Sequence, residues 1–232
     1  MEKFFTRSDG TKLEILYPPY CEVCGNTIPD CFASTHPYCG ACKDYPDKSN
    51  PIIKVRAFGK YYYEEENPHD TLSEEIRKLK KDASLVPLLQ ECLYFSIDTQ
   101  YPELNDLELV VPVMRGSEDG EHNQAALLAK GVSSRYNMSY MDVLFKKEPY
   151  RSMHTIHNNT EKEREISGKI GCEHKFNGES ILLIDDTCIT MVTKRECAKV
   201  LKDHGAGEIR SLVLGRMVNK EHRDTVRRYN AK

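Results

Sequence analysis

The chain has 232 residues and 26.7 kDa, of which 39% are hydrophobic and 30% charged; this fits one mid-sized α/β domain with a small accessory module and excludes a bare peptide or a fibre. With 33 Lys and Arg against 36 Asp and Glu the net charge is −3, which excludes a polycation that grips nucleic acid unaided. Without a run of about 18 apolar residues no transmembrane helix is expected, and the start, Met1 to Arg7, lacks the apolar stretch of a signal peptide, so a cytoplasmic protein with no membrane contact is expected.

Nine cysteines without a secretion signal argue against a disulfide framework. Cys21-Glu-Val-Cys24 and Cys39-Gly-Ala-Cys42 form two C-x2-C pairs, and each offers two thiolates at the spacing tetrahedral zinc takes. Four thiolates close the shell, so Cys21, Cys24, Cys39 and Cys42 are expected to hold a structural Zn2+, with Cys31 and His36 as alternatives for one ligand. Residues 1–50 lack periodicity, are rich in Cys, Pro, Gly and Asp, and end in Asp44-Tyr-Pro-Asp-Lys-Ser-Asn-Pro51. They read as a zinc-binding module and its linker.

Residues 51–232 read as a second domain. Pro51 to Tyr63 alternates as a strand or hairpin. Thr71-x-x-Glu74 is a capping box before a helix with Leu72, Ile76 and Leu79 on one face. Ser84 to Ile97 is a second helical stretch. Leu107 to Val113 is an apolar strand, and Ala125, Leu128, Ala129 and Val132 fall at the spacing of one helix face. Met141 to Phe145 is a short strand. Residues 146–178 are polar, and at about thirty residues too long for an ordinary connector, which suggests a flap. Ser180 to Ile184 is a buried strand, Lys194 to His204 an amphipathic helix stopped by Gly205, and Ile209 to Leu214 the next strand. Strand, helix, strand in repetition means a parallel sheet. From Arg210 to Lys232 seven basic residues stand against two acidic ones, either a solvated helix or a nucleic-acid or partner contact.

The sharpest feature is Ile181-Leu-Leu-Ile-Asp185-Asp186-Thr187-Cys188-Ile189-Thr190-Met191-Val192-Thr193. An apolar strand delivers two carboxylates to the carboxyl edge of the sheet, and a short loop then opens a helix whose first N–H groups and dipole favour an anion. Carboxylates suit ribose hydroxyls or a Mg2+ shell, and the loop suits a phosphate. The same residues also read as a strand end followed by a second capping box, Thr193-x-x-Glu196.

This segment resembles the phosphoribosyl pyrophosphate (PRPP) motif of type I phosphoribosyltransferases. Taken in order, the C-x2-C pairs, Glu75-Ile-Arg-Lys-Leu-Lys80, Val110-Val-Pro-Val113, Asn123-Gln124-Ala-Ala-Leu-Leu-Ala129, the acidic strand end and Lys199-Val-Leu-Lys-Asp-His-Gly-Ala206 resemble the ComF family. Its members join an N-terminal four-cysteine zinc module to such a domain. The resemblance implies an α/β fold, a type I phosphoribosyltransferase-like parallel sheet flanked by helices. It also implies displacement of pyrophosphate from PRPP with Mg2+, a phosphoribosyl ligand, and a role in DNA uptake. Asp185 and Asp186 would hold ribose and metal as the catalytic pair. Thr187, Cys188, Ile189, Thr190, Met191, Val192 and Thr193 would bind the 5′-phosphate, and Arg115 with Gly116 the pyrophosphate. Residues 146–178 would form a flexible hood, with Arg164 as its cation.

Two positions depart from the family. Met191 stands where the phosphate loop has Gly, so a blocked or rebuilt pocket is expected. Glu121-His122 stand where Arg and Phe precede Asn-Gln. Two readings therefore compete: a PRPP-binding phosphoribosyltransferase, and a catalytically degenerate fold that binds single-stranded DNA or a helicase-type partner. A homo-oligomer is compatible with both.

Overall fold

The structure is a computed structural model that describes residues 3–28, 37–40, 42, 51–114, 123–151, 153–156 and 158–217. In chain order its elements are β1 (Phe4–Thr6), β2 (Lys12–Glu14), β3 (Lys54–Tyr61), α1 (Thr71–Leu79), α2 (Val86–Phe95), β4 (Leu109–Pro112), α3 (Gln124–Tyr136), β5 (Ser139–Tyr140), β6 (Leu144–Lys146), α4 (Asn159–Ile166), β7 (Ile170–Cys172), β8 (Ile181–Cys188), α5 (Val192–Asp203) and β9 (Ile209–Met217). Five strands form one parallel sheet in the order β3-β9-β8-β4-β5. The expected α/β architecture, a parallel sheet flanked by helices with a four-cysteine cluster from the N-terminal segment, is what the chain forms.

Both faces of the sheet are covered, and the period of two along each strand sorts its residues between them. Ile181 and Leu183 of β8 pack with Val55, Val111, Val213, Ile166 and α5 residues Cys197, Ala198 and Leu201. Leu182 and Ile184 pack on the other face with Phe58, Leu212 and the helix residues Ile76, Leu89, Leu93, Leu128 and Val132. Thus α1, α2 and α3 lie on one side and α5 on the other. β4 and β8 are neighbours, and the helices that follow them leave toward opposite faces. Their carboxyl ends therefore bound the crevice where open α/β sheets bind ligands.

The structure redraws several local expectations. Of the two forms expected for Pro51 to Tyr63, strand or hairpin, the chain takes the strand, with residues 54–61 forming one edge strand. The cap of α1 is Asp70, not Thr71: its carboxylate accepts from Ser73 N at 2.8 Å. The strand expected at Met141 to Phe145 forms only at its end, as β6 paired antiparallel with β7, while the sheet strand β5 lies just before it at Ser139–Tyr140.

The polar stretch 146–178 carries α4, whose N-terminus Asn158 caps by accepting from Thr160 N. This helix was hidden because it buries only Lys162 and Ile166 among its eight residues, too few to print a period. Ile156, Ile166, Ile170 and Phe176 are all buried, and the segment is tied to α5 through Gly168 N on Glu196 Oε1 at 2.7 Å. Thr193 lies inside the first turn of α5 rather than at its cap, so the expected box Thr193-x-x-Glu196 does not form. α5 starts at Val192 with no side-chain cap.

Candidate functional site

Two constellations of polar side chains flank the sheet. The first is the cysteine cluster. The sulfur atoms of Cys21, Cys24, Cys39 and Cys42 all lie within 4.8 Å of one another, and Cys24 and Cys39 sulfurs are 3.5 Å apart. A zinc tetrahedron with bonds of about 2.3 Å has edges of about 3.8 Å, so the donor set fits that ion in chemistry and scale. The four cysteines can hold a metal ion, and they form the one such cluster among the described residues. Hydrogen bonds from the neighbouring thiols, Cys21 first, and the Arg216 charge hold the Cys24 thiol below its ordinary range. The alternatives Cys31 and His36 lie outside the described residues.

The turn after Cys24 needs its glycine. Gly25 has φ +66°, and a Cβ there would sit 2.9 Å from Val55 O. Val55 N donates to Val23 O at 2.8 Å, and Arg56 Nη1 to Glu22 O at 3.0 Å. The cluster is therefore docked on the edge strand β3.

The second constellation lies at the carboxyl end of β8. Asp185 and Asp186 are half-buried. Asp185 Oδ1 accepts from Asp186 N at 3.0 Å, and Asp186 Oδ1 from Thr187 Oγ1 at 3.1 Å. Burial, reinforced by the adjacent Asp185 charge, pushes the Asp186 carboxyl up to about 6. Lys194, in the first turn of α5 and 2% exposed, donates from Nζ to Asp185 Oδ2 and to Thr187 O, each at 2.6 Å. Burial lowers this ammonium's pKa, but the Asp185 charge outweighs it and leaves it above the ordinary range.

The role of Lys194 is not visible in the sequence. A lysine opening an amphipathic helix reads as solvated, and only its reach back across the loop makes it a partner of Asp185. Gln124, at the start of α3, is another residue whose state shows only in three dimensions. It is 5% exposed, and its Nε2 has no hydrogen-bond partner among the described residues.

The predicted loop divides by side-chain direction. Thr187 and Cys188 are the last residues of β8. Cys188, Met191 and Val192 are buried in the core under α5, whereas Thr187, Ile189, Thr190 and Thr193 are half-exposed. Met191 has φ −79° and ψ −7°, a right-handed conformation open to any residue. Its sulfur lies 4.0 Å from Cys188 Sγ. The backbone at this position is therefore unstrained, and its side chain fills the core rather than the outer face of the loop. Arg164 is exposed on α4. Arg115 and Gly116, together with Glu121, His122 and residues 218–232 of the basic tail, lie outside the described residues.

No family model matches the chain, and no curated protein matches it. Among solved structures it is similar to the allosteric regulatory enzyme of purine biosynthesis, at 19% identity over 46% of this chain and 22% of that one, with a TM-score of 0.31. This chain thus spans about a fifth of that protein's length. It is also similar to the purine phosphoribosyltransferase of Pyrococcus horikoshii, at 14% identity over 56% of this chain and 87% of that one, with a TM-score of 0.35. A third similar structure is the adenine phosphoribosyltransferase of Leishmania tarentolae, at 9% identity over 74% and 95% of the two chains, with a TM-score of 0.37.

Proposed function

We propose that the crevice at the ends of β4 and β8 binds a phosphoribosyl ligand, PRPP in the first instance, in a protein of the ComF type, and that Cys21, Cys24, Cys39 and Cys42 hold a structural zinc. The observation that carries the reading is the placement of Asp185 and Asp186 at a reversal of sheet topology, directly before a helix N-terminus that no side chain caps. The first N–H groups of α5 with Thr190 and Thr193 are donors for a phosphate. The carboxylates are acceptors for ribose hydroxyls.

Magnesium enters this reading with the pyrophosphate group of the ligand, not as a resident ion. Asp185 Oδ2 is committed to Lys194, which leaves the acidic pair one uncompensated charge with which to gather a divalent cation. The link to DNA uptake or processing rests on the family resemblance. On this reading residues 1–50 are a zinc module and 51–232 the phosphoribosyl-binding domain, with 146–178 beside α5 as its hood.

Calorimetric titration of the full chain with PRPP and Mg2+ tests the proposal. Saturable binding is expected, weakened at least about tenfold in Thr190→Ala and in Asp186→Asn, with circular dichroism confirming that both variants fold. No heat from the wild type, or wild-type affinity in both variants, overturns the assignment.

A further inference from the structure

Arg216 lies near the carboxyl end of β9 and is 6% exposed. A buried guanidinium is tolerated when its donors are paired, and here the acceptors are main-chain carbonyls from two distant parts of the chain. Nε donates to Cys24 O at 2.7 Å. Nη1 donates to Cys188 O at 2.6 Å, to Ile189 O at 2.9 Å and to Met217 O at 3.3 Å. Cys24 belongs to the cysteine cluster, and Cys188 and Ile189 carry β8 into the loop before α5. One rigid planar fork thus joins the two constellations, and neither carbonyl set can shift without breaking its bonds to the other's anchor.

Charge gives the bridge a direction. A zinc ion (2+) on four thiolates carries a net charge of 2−, and the Cys24 carbonyl brings the Arg216 cation beside that centre. The loaded cluster therefore holds the guanidinium in the position from which it clamps the loop. Without the metal the four sulfurs are no longer tied together, so the turn that carries the Cys24 carbonyl loosens and Arg216 Nε loses its fixed acceptor.

We propose that Arg216 is a positioning residue that couples metal loading of the four-cysteine centre to the conformation of the Cys188–Met191 loop. Only the ligand arm of its test rests on the phosphoribosyl reading. Cys188 reports on the loop, because its thiol is fully buried.

The experiment measures the rate at which iodoacetamide labels Cys188 in the full chain, resolved by peptide mass spectrometry, with Cys92 in the opposite core as control. Zinc-loaded protein is expected to label slowly at both. Chelation is expected to raise the Cys188 rate at least about tenfold and leave Cys92 unchanged. Arg216→Gln, with its zinc content confirmed, is expected to label Cys188 as fast as metal-free wild type, and chelation is expected to add nothing further. Should that variant fail to fold, Arg216→Lys replaces it, since a single ammonium reaches one side of the bridge and gives the same loss of zinc dependence.

A Cys188 rate that ignores chelation in the wild type overturns the proposal. So does a folded variant that keeps its zinc dependence, or one that opens Cys92 equally. PRPP affinity is read in parallel and is expected to fall about tenfold on chelation of the wild type. Zinc-dependent Cys188 labelling with no PRPP binding in any form upholds the coupling and rejects the ligand reading. PRPP binding that chelation leaves intact, alongside unchanged labelling, does the reverse.

Discussion

Replacing Lys194 by methionine tests whether the acidic pair is held together by its buried cation. The ammonium makes two bonds of 2.6 Å, to the Asp185 carboxylate and to the Thr187 carbonyl, and hydrogen bonds from a charged donor are worth about 1.5–3 kcal/mol each. Loss of both would cost roughly 3–6 kcal/mol on that scale. The Asp185 side chain keeps 19% of its exposure, so water can re-solvate part of the stranded carboxylate, and methionine refills the aliphatic volume. We therefore expect a loss of about 3 kcal/mol, near the lower end for one partner of a buried pair. In a chain of this size that corresponds to a fall in Tm of roughly 6–12 °C. Urea unfolding followed by circular dichroism at pH 7 measures it, and Asp185→Asn completes a double-mutant cycle. The two changes should be strongly non-additive, with Asp185→Asn costing less once Lys194 is gone. A loss below about 1 kcal/mol, or additive effects, would refute the reasoning.

Two further outcomes follow from the same region. With the Asp186 carboxyl pushed up to about 6, the folded state keeps a proton that the unfolded chain releases near 4, so this residue's contribution to stability falls as pH rises from about 4 to 6. Asp186→Asn should remove that fall and raise Tm at pH 7 relative to the wild type; parallel Tm curves for the two proteins between pH 4 and 7 would contradict it. Met191→Ala should cost about 2–4 kcal/mol, because a side chain 6% exposed leaves a core cavity, and should not tighten PRPP binding. A loss under about 1 kcal/mol accompanied by tighter binding would mean that the methionine covers the loop.

How far the sequence could be read depended on whether a residue's role is local. The unbroken apolar run Ile181 to Ile184 marks a strand covered on both faces, and two acids at its end mark the carboxyl edge. The paired C-x2-C spacings likewise bring the four sulfurs together. What stayed hidden depends on contacts across the chain. Arg216 stands among the basic residues of the tail, and nothing around it in the sequence shows that a carbonyl 192 residues earlier draws it inward. Lys194 reads as a surface charge for the same reason. The cap of α1 fell one residue from its expected place because Asp70 and Thr71 are both good caps, and only backbone geometry chooses between them.

The placement of β3 bears on how the molecule can be made. Its pairing partner among the described strands is β9, so the edge strand and the cysteine knuckle docked on it wait for a segment made about 150 residues later. During synthesis at about 5–20 residues per second that interval lasts on the order of ten seconds. Through it the thiols of Cys21 and Cys24 have no finished sheet to rest on. Metal capture by the nascent chain would protect them during that wait, and the order of events in assembly would then be ion first, last strand second.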